Sequence, residues 1–170
     1  MKLLKTENNL PTRKPTRLKE FDYSNSGAYF ITICTDKREN ILSNIVGEGF
    51  PLPQHTKQGK IVENIILSIN QKYPTVSVDK FVIMPNHIHL ILILENFGRG
   101  NPSPTVSAII GWLKYCATKQ INSHFGTAGN KIFQRSFHDH IIRNEKDYLE
   151  IWNYIDTNPQ KWKEDCFYSN

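Results

Sequence analysis

Along this chain the spacing of apolar and polar positions changes several times, and each change predicts an element. "AYFITICT", Ala28 to Thr35, crowds β-branched and aromatic residues behind the turn signal "SNSG", which predicts a first strand; its imperfect alternation predicts burial on both faces. In "KIVENIILSINQK", Ile61, Ile65, Ile66 and Ile69 recur at helical spacing, predicting a helix over about residues 58–72. "VSVDKFVIM" and "HIHLILILE" flank Pro85-Asn86 and predict a hairpin of two central strands. "ENFGRGNPSPT" has loop chemistry. Beyond it, Val106, Ile109, Ile110, Leu113 and Ala117 form one stripe of a helix that opens at Ser103 to Thr105 and reaches about His124. "FGTAGN" breaks the chain, "FHDHIIR" predicts a fourth strand, and "NEKDYLEIWNYIDTNP" predicts a third helix stopped by Pro159 and capped by Asn144, with Asp147 at its third position.

The order β-α-β-β-α-β-α places two strands side by side in the middle. That order predicts the α+β class, specifically a ferredoxin-like or split-βαβ antiparallel sheet with helices packed on one face. The 170 residues suit one domain, taken as residues 21–165 between an N-terminal arm, 1–20, and a short tail, 166–170. The arm holds Pro11 and Pro15 and is rich in Lys and Arg, including Arg13, Lys14 and Arg17, so it reads either as a frayed terminus or as an arm touching DNA.

Charge alters this picture only modestly. Lys and Arg number 21 against 16 Asp and Glu, a net charge of +5 that favours an anionic partner. Cys34, Cys116 and Cys166 are far apart and odd in number, which argues against a disulfide framework or a thiolate zinc site and suits a reducing cytosol. No stretch approaches the roughly 20 apolar residues of a membrane span, so the expectation is a soluble, cytoplasmic protein.

The chemistry begins in "MPNHIHLILILE". Along a strand His87 and His89 share a face with Ile91 and Ile93, while Ile88, Leu90, Leu92 and Leu94 take the other. The imidazoles are therefore either buried and hydrogen-bonded or converging on a divalent metal. On the last helix Tyr148, Ile151, Trp152 and Ile155 make the apolar stripe, which marks Tyr148 as structural. Tyr154 falls about 110° from the centre of that stripe, and Asn158 lies one turn on, within about 40° of Tyr154. A phenol and an amide beside a His-x-His pair are coherent with metal-assisted attack on a phosphodiester.

At these residues the chain resembles the HUH single-tyrosine transposases and, within them, the bacterial REP-associated tyrosine transposases of the IS200-like branch. "MPNHIHLI" is similar to the family's His-hydrophobic-His strand, "FQRSFHDHIIRNEKDY" with "YIDTNPQKW" to its C-terminal signature, and "RLKEFDYSNSGAYFITICT" to its opening strand, so the likeness runs over about residues 13–163. The resemblance implies His87 and His89 as metal ligands, Asn158 as the third ligand and Tyr154 as the nucleophile. It implies Mg²⁺ or Mn²⁺ as cofactor, single-stranded DNA with a hairpin stem as partner, a monomer or homodimer, association with the nucleoid, and cleavage through a 5′-phosphotyrosine. Arg135, Arg143, His138 and His140, around the fourth strand, are candidates for DNA contact, as are the basic residues of the arm. Tyr23, Tyr29 and Phe30 could stack on bases, though core packing explains them better; Trp112 and Trp152 read as core. Two rival readings are a catalytically silent nucleic-acid-binding relative, and a zinc hydrolase built from His87, His89 and one of His138 or His140.

Overall fold

A computed structural model describes residues 26–95 and 104–168. The basic arm with Arg13, Lys14 and Arg17, together with Tyr23 and most of the Gly/Pro-rich loop before the second long helix, lies outside the described residues. Strand β1 (Gly27–Cys34) leads through a short 3-10 turn to a small hairpin, β2 (Ser43–Val46) and β3 (Leu52–His55). Helices α1 (Lys57–Leu67) and α2 (Ile69–Lys72) follow, then β4 (Val76–Ile83), β5 (His87–Leu94), α3 (Val106–Phe125), β6 (His138–Ile142) and α4 (Glu145–Thr157), with a 3-10 segment at Asn158–Glu164.

The main sheet runs β4-β5-β1-β6 and every neighbouring pair is antiparallel. This is the split-βαβ order expected from the sequence, with the first strand between the third and fourth of the four. Period-2 alternation then sorts side chains onto two faces. Tyr29, Ile31, Ile33, Ile88, Leu90 and Leu92 point to one, where Val62, Ile65 and Ile66 of α1 and Ile109, Ile110 and Leu113 of α3 bury them. Each such aliphatic side chain removed from water stabilises the fold by roughly 1.5–3 kcal/mol before entropy is counted. The sequence reading puts every helix on this face, and α4 departs from it. Tyr148, Ile151 and Ile155 of α4 pack with Ala28, Phe30, Ile91 and Ile93 on the opposite face, because the sheet carries a second apolar patch there.

Local chemistry accounts for the other differences. The helix expected over 58–72 breaks at Ser68, whose hydroxyl turns back to donate to Ile65 O at 2.8 Å. Gly59 in α1 is obligatory: a Cβ there would stand 2.0 Å from Leu42 O. Gly126, at φ +65°, ends α3 in a left-handed turn. Pro159 does not stop the chain's helical course; α4 ends at Thr157 and Pro159 sits in the first turn of the 3-10 segment, where a missing N–H is tolerated. Trp152, read as core, is 38% exposed, with Lys80 Nζ 3.7 Å above its ring. Trp112 is partly buried and packs edge-on against Tyr73. Among the described residues no helix is long and apolar enough to cross a membrane.

Candidate active site

His87 and His89 open β5 on the face that α4 covers. The turn before them is pinned from three sides. Thr35 N donates to Asn86 O at 2.9 Å, Leu42 N to Pro85 O at 2.9 Å, and Met84 N to His87 O at 2.8 Å. With its backbone so held, the first imidazole has little freedom. Both histidines are effectively sealed from solvent, at 0% and 1% exposure.

The hydrogen bonds fix the tautomer of His87 and are consistent with the same tautomer at His89. Asn86 Nδ2 donates to Phe167 O at 2.8 Å, which leaves Asn86 Oδ1 as an acceptor 2.9 Å from His87 Nδ1. His87 therefore carries its proton on Nδ1, and its buried Nε2 presents a lone pair with no partner. His89 Nδ1 lies 2.8 Å from Thr32 Oγ1, directly across the β1–β5 ladder, and the Tyr154 hydroxyl lies 3.3 Å from His89 Nε2. A consistent assignment puts the His89 proton on Nδ1, donated to Thr32, and again leaves Nε2 as the acceptor. Burial lowers the His87 pKa to about 4, against the opposing pull of the Asp165 carboxylate. Burial also holds His89 well below its ordinary value, with His87 adding to the effect. Both rings are neutral donors of electron pairs at physiological pH.

Helix α4 and the 3-10 segment after it supply the remaining groups. Asn144 Oδ1 accepts from Asp147 N at 2.9 Å, the cap expected from the sequence, and Ile155 is buried beneath the helix. These two anchors turn Tyr154 over the sheet, where its ring stacks edge-on with His89 and Phe30, at centroid separations of 5.2 and 6.0 Å. Tyr154 is 39% exposed, so its side chain borders solvent while its ring stays packed. Burial and the nearby Asp165 charge push its pKa up to about 12. Asn158, one turn on, is buried; its Nδ2 donates to Asp165 Oδ2 at 2.9 Å and its Oδ1 has no partner. Tyr148 faces elsewhere, donating its hydroxyl to Asp79 at the bulge in β4.

The four residues singled out for chemistry thus come together from β5, α4 and the 3-10 segment that follows it. The charged and imidazole candidates for DNA contact stand further off. His138 and His140 lie on β6 with β1 between them and β5; His138 is exposed on the same face as Thr32 and His89, and His140 pairs with Asp147 at 2.9 Å. Arg135 and Arg143 are exposed, the first in a loop whose carbonyls are gripped by Lys114 Nζ, at 2.9 Å from Arg135 O. The sequence reading missed Asp165. Among the described residues, His87, His89 and Asp165 form a group whose ligand atoms all lie within 4.8 Å of one another. Two orphaned buried acceptors, His87 Nε2 and Asn158 Oδ1, beside a carboxylate form a donor set that fits a divalent cation. A cavity of about 280 Å³ lined by Tyr154, Asn158, Lys161, Glu164, Asp165 and Cys166 opens at its edge.

Comparison with known proteins places this geometry in context. The family model for IS200-like transposases matches residues 23–158. An uncharacterized protein of Haemophilus influenzae is 34% identical, covering 92% of this chain and 93% of its own. A second protein of that organism, named provisionally as a REP-associated tyrosine transposase, is 28% identical over 82% of this chain and 74% of its own. Among solved structures, a REP-associated tyrosine transposase bound to a REP hairpin superposes with a TM-score of 0.56 at 24% identity, covering 85% of this chain and 73% of that one.

Proposed function

This chain belongs to the IS200-like transposase family, and from that premise we propose that it cuts and rejoins single-stranded DNA beside a hairpin stem, with Tyr154 as nucleophile. The observation that carries the reading is that Tyr154, a side chain 39% exposed, sets its hydroxyl 3.3 Å from His89 Nε2 and beside the unpaired acceptors His87 Nε2 and Asn158 Oδ1. His87, His89 and Asn158 would hold Mg²⁺ or Mn²⁺. Such an ion, when bound, polarises the scissile phosphate and offsets charge that builds on it.

The protein's own groups do the rest. Tyr154 Oη forms a bond to phosphorus as the bond from phosphorus to the 3′ oxygen breaks. The phenol, protonated at neutral pH and held so more firmly by a pKa raised to about 12, gives up its proton to water in that step, and the departing 3′ oxygen takes one up from water. The products are a 5′-phosphotyrosine and a free 3′-OH. The new ester keeps the energy of the old one, so a 3′-OH can attack it in reverse and rejoin the strand with no other energy source. Thr32 and Asn86 hold the imidazoles in the tautomers that leave both Nε2 atoms as acceptors. The packing of Phe30 against Tyr154 limits where the phenol can swing. A duplex would first have to lose stacking and pairing worth a few kcal/mol to reach this hydroxyl, which favours an unpaired cleavage site.

The test is incubation with a library of single-stranded hairpin oligonucleotides and Mn²⁺, followed by denaturing electrophoresis for covalent protein–DNA adducts. Wild type and Tyr148→Phe should form adducts. Tyr154→Phe should form none while still binding the hairpin. Adducts that persist in Tyr154→Phe and vanish in Tyr148→Phe, or equal cutting of a fully paired duplex, would overturn the assignment.

A further inference from the structure

Asn158 could present either end of its amide to the imidazoles, and the choice decides whether it can hold a cation. Its Nδ2 donates to Asp165 Oδ2 at 2.9 Å, while its Oδ1 is buried without a partner. An ionised carboxylate only accepts, so Asp165 can engage only the nitrogen end and leaves the oxygen end free. Asp165 is itself held in place. Its Oδ1 accepts from Phe167 N at 2.7 Å, Phe167 O accepts from Asn86 Nδ2 at 2.8 Å, and Asn86 Oδ1 accepts from His87 Nδ1 at 2.9 Å. One run of hydrogen bonds therefore links His87, Asn86, Phe167, Asp165 and Asn158, and each of its two ends carries an orphaned acceptor, His87 Nε2 and Asn158 Oδ1. Turned by half a rotation, the Asn158 amide would set N–H groups where lone pairs now gather, and a cation would be repelled.

We infer that Asp165 is a positioning residue that selects the oxygen end of Asn158 as an ion ligand. Asp165 lies beyond the residues matched by the family model, which end at Asn158. The inference rests on the proposed reading of His87, His89 and Asn158 as the ion-holding set. The competing account is direct ligation by the Asp165 carboxylate, which also lies within 4.8 Å of both imidazole ligand atoms.

Asp165→Asn separates the two. The new amide must keep its oxygen on Phe167 N–H, so its NH₂ turns to Asn158 and reverses the Asn158 amide. Mn²⁺ affinity of the full chain, read from the electron paramagnetic resonance signal of free Mn²⁺, should fall roughly 10–100-fold, the usual cost of losing a group that orients a ligand. In an Asn158→Ala background the same substitution should change Mn²⁺ affinity little, because there is no amide left to orient. Matched melting temperatures show that each variant is folded. Unchanged affinity in Asp165→Asn would overturn the inference, and so would losses that simply add in the double variant, since they would make Asp165 a ligand in its own right. His87→Ala distinguishes the two levels of failure. If it binds Mn²⁺ like wild type, the ion site itself is wrong and this inference falls with it; if it loses Mn²⁺ while Asp165→Asn does not, only the role of Asp165 is wrong.

Discussion

A buried imidazole whose burial outweighs the pull of a nearby carboxylate is a liability as pH falls, and His87 gives this a measurable form. Burial lowers its pKa from 6.5 to about 4, while in the unfolded chain it titrates near its ordinary value. Between those limits the unfolded state binds the extra proton and the folded state refuses it, so protonation pulls the equilibrium towards unfolding. His89, also held low by burial, adds in the same direction. The fold's advantage is therefore complete above about pH 6.5 and is lost as pH falls towards 4. Melting temperatures of the ion-free protein, measured in a chelator across that window, should decline, and His87→Asn should flatten the decline. A level profile, or one of the same slope in the variant, would mean that the ring is not sheltered as described. The same burial shows how the pair could be read from sequence. Strand alternation depends only on the backbone, so the shared face of His87 and His89 followed from their spacing. The hydrogen bond from His89 to Thr32 did not, because it needs the β1–β5 register, which no local pattern in "AYFITICT" reveals.

At the scale of the element, α4 shows where helical periodicity informs and where it misleads. The stripe of Tyr148, Ile151 and Ile155 did mark the buried side, and Tyr154 with Asn158 did fall beside it. Trp152 belongs to the same stripe by angle yet remains partly in solvent, because Lys80 and not the core covers its ring. Beyond Thr157 the chain leaves the 3.6-residue repeat for a 3-10 course, and no periodicity carries a prediction as far as Asp165. The hairpin of β2 and β3 was equally hidden, since its strands are four residues each and one contains Pro53. The start of α4 is better defined. Asn144 Oδ1 accepts from Asp147 N, and the Asp147 carboxylate accepts from Arg143 N and pairs with His140. Asn144→Ala should cost about 1 kcal/mol, a drop in melting temperature of roughly 2–4 °C for a chain of this size. Ile155 anchors the far end of the helix independently, so adduct formation should stay near wild type. A large loss of adduct with a small thermal shift would instead mean that the cap, and not the core contact, fixes Tyr154.

For the molecule as a whole, the decisive feature is that strands β5 and β1, helix α4 and the segment after it bring every proposed catalytic group together within one chain. Tyr154 reaches His89 of its own chain at 3.3 Å, and Asn158 joins Asp165 on the same side. An arrangement in which one chain lends its tyrosine to the histidines of another would require α4 to leave the second apolar patch of the sheet. Only Arg143 and Asn144 join β6 to α4, so that exchange would have to break the bonds that the Asp147 carboxylate makes with Arg143 N and His140. Each chain should therefore be catalytically complete, whether or not it pairs with a copy on its DNA. Mixing Tyr154→Phe protein with His87→Ala protein tests this directly: each lacks a different half of the site, so exchange of helices between chains would assemble one intact site per mixed pair, whereas self-contained sites leave every one defective. The expected outcome is no covalent adduct at any mixing ratio, with wild-type adduct yield per chain constant on dilution. Recovery of adducts in the mixture, rising with total protein concentration, would show that the working site is shared between two chains.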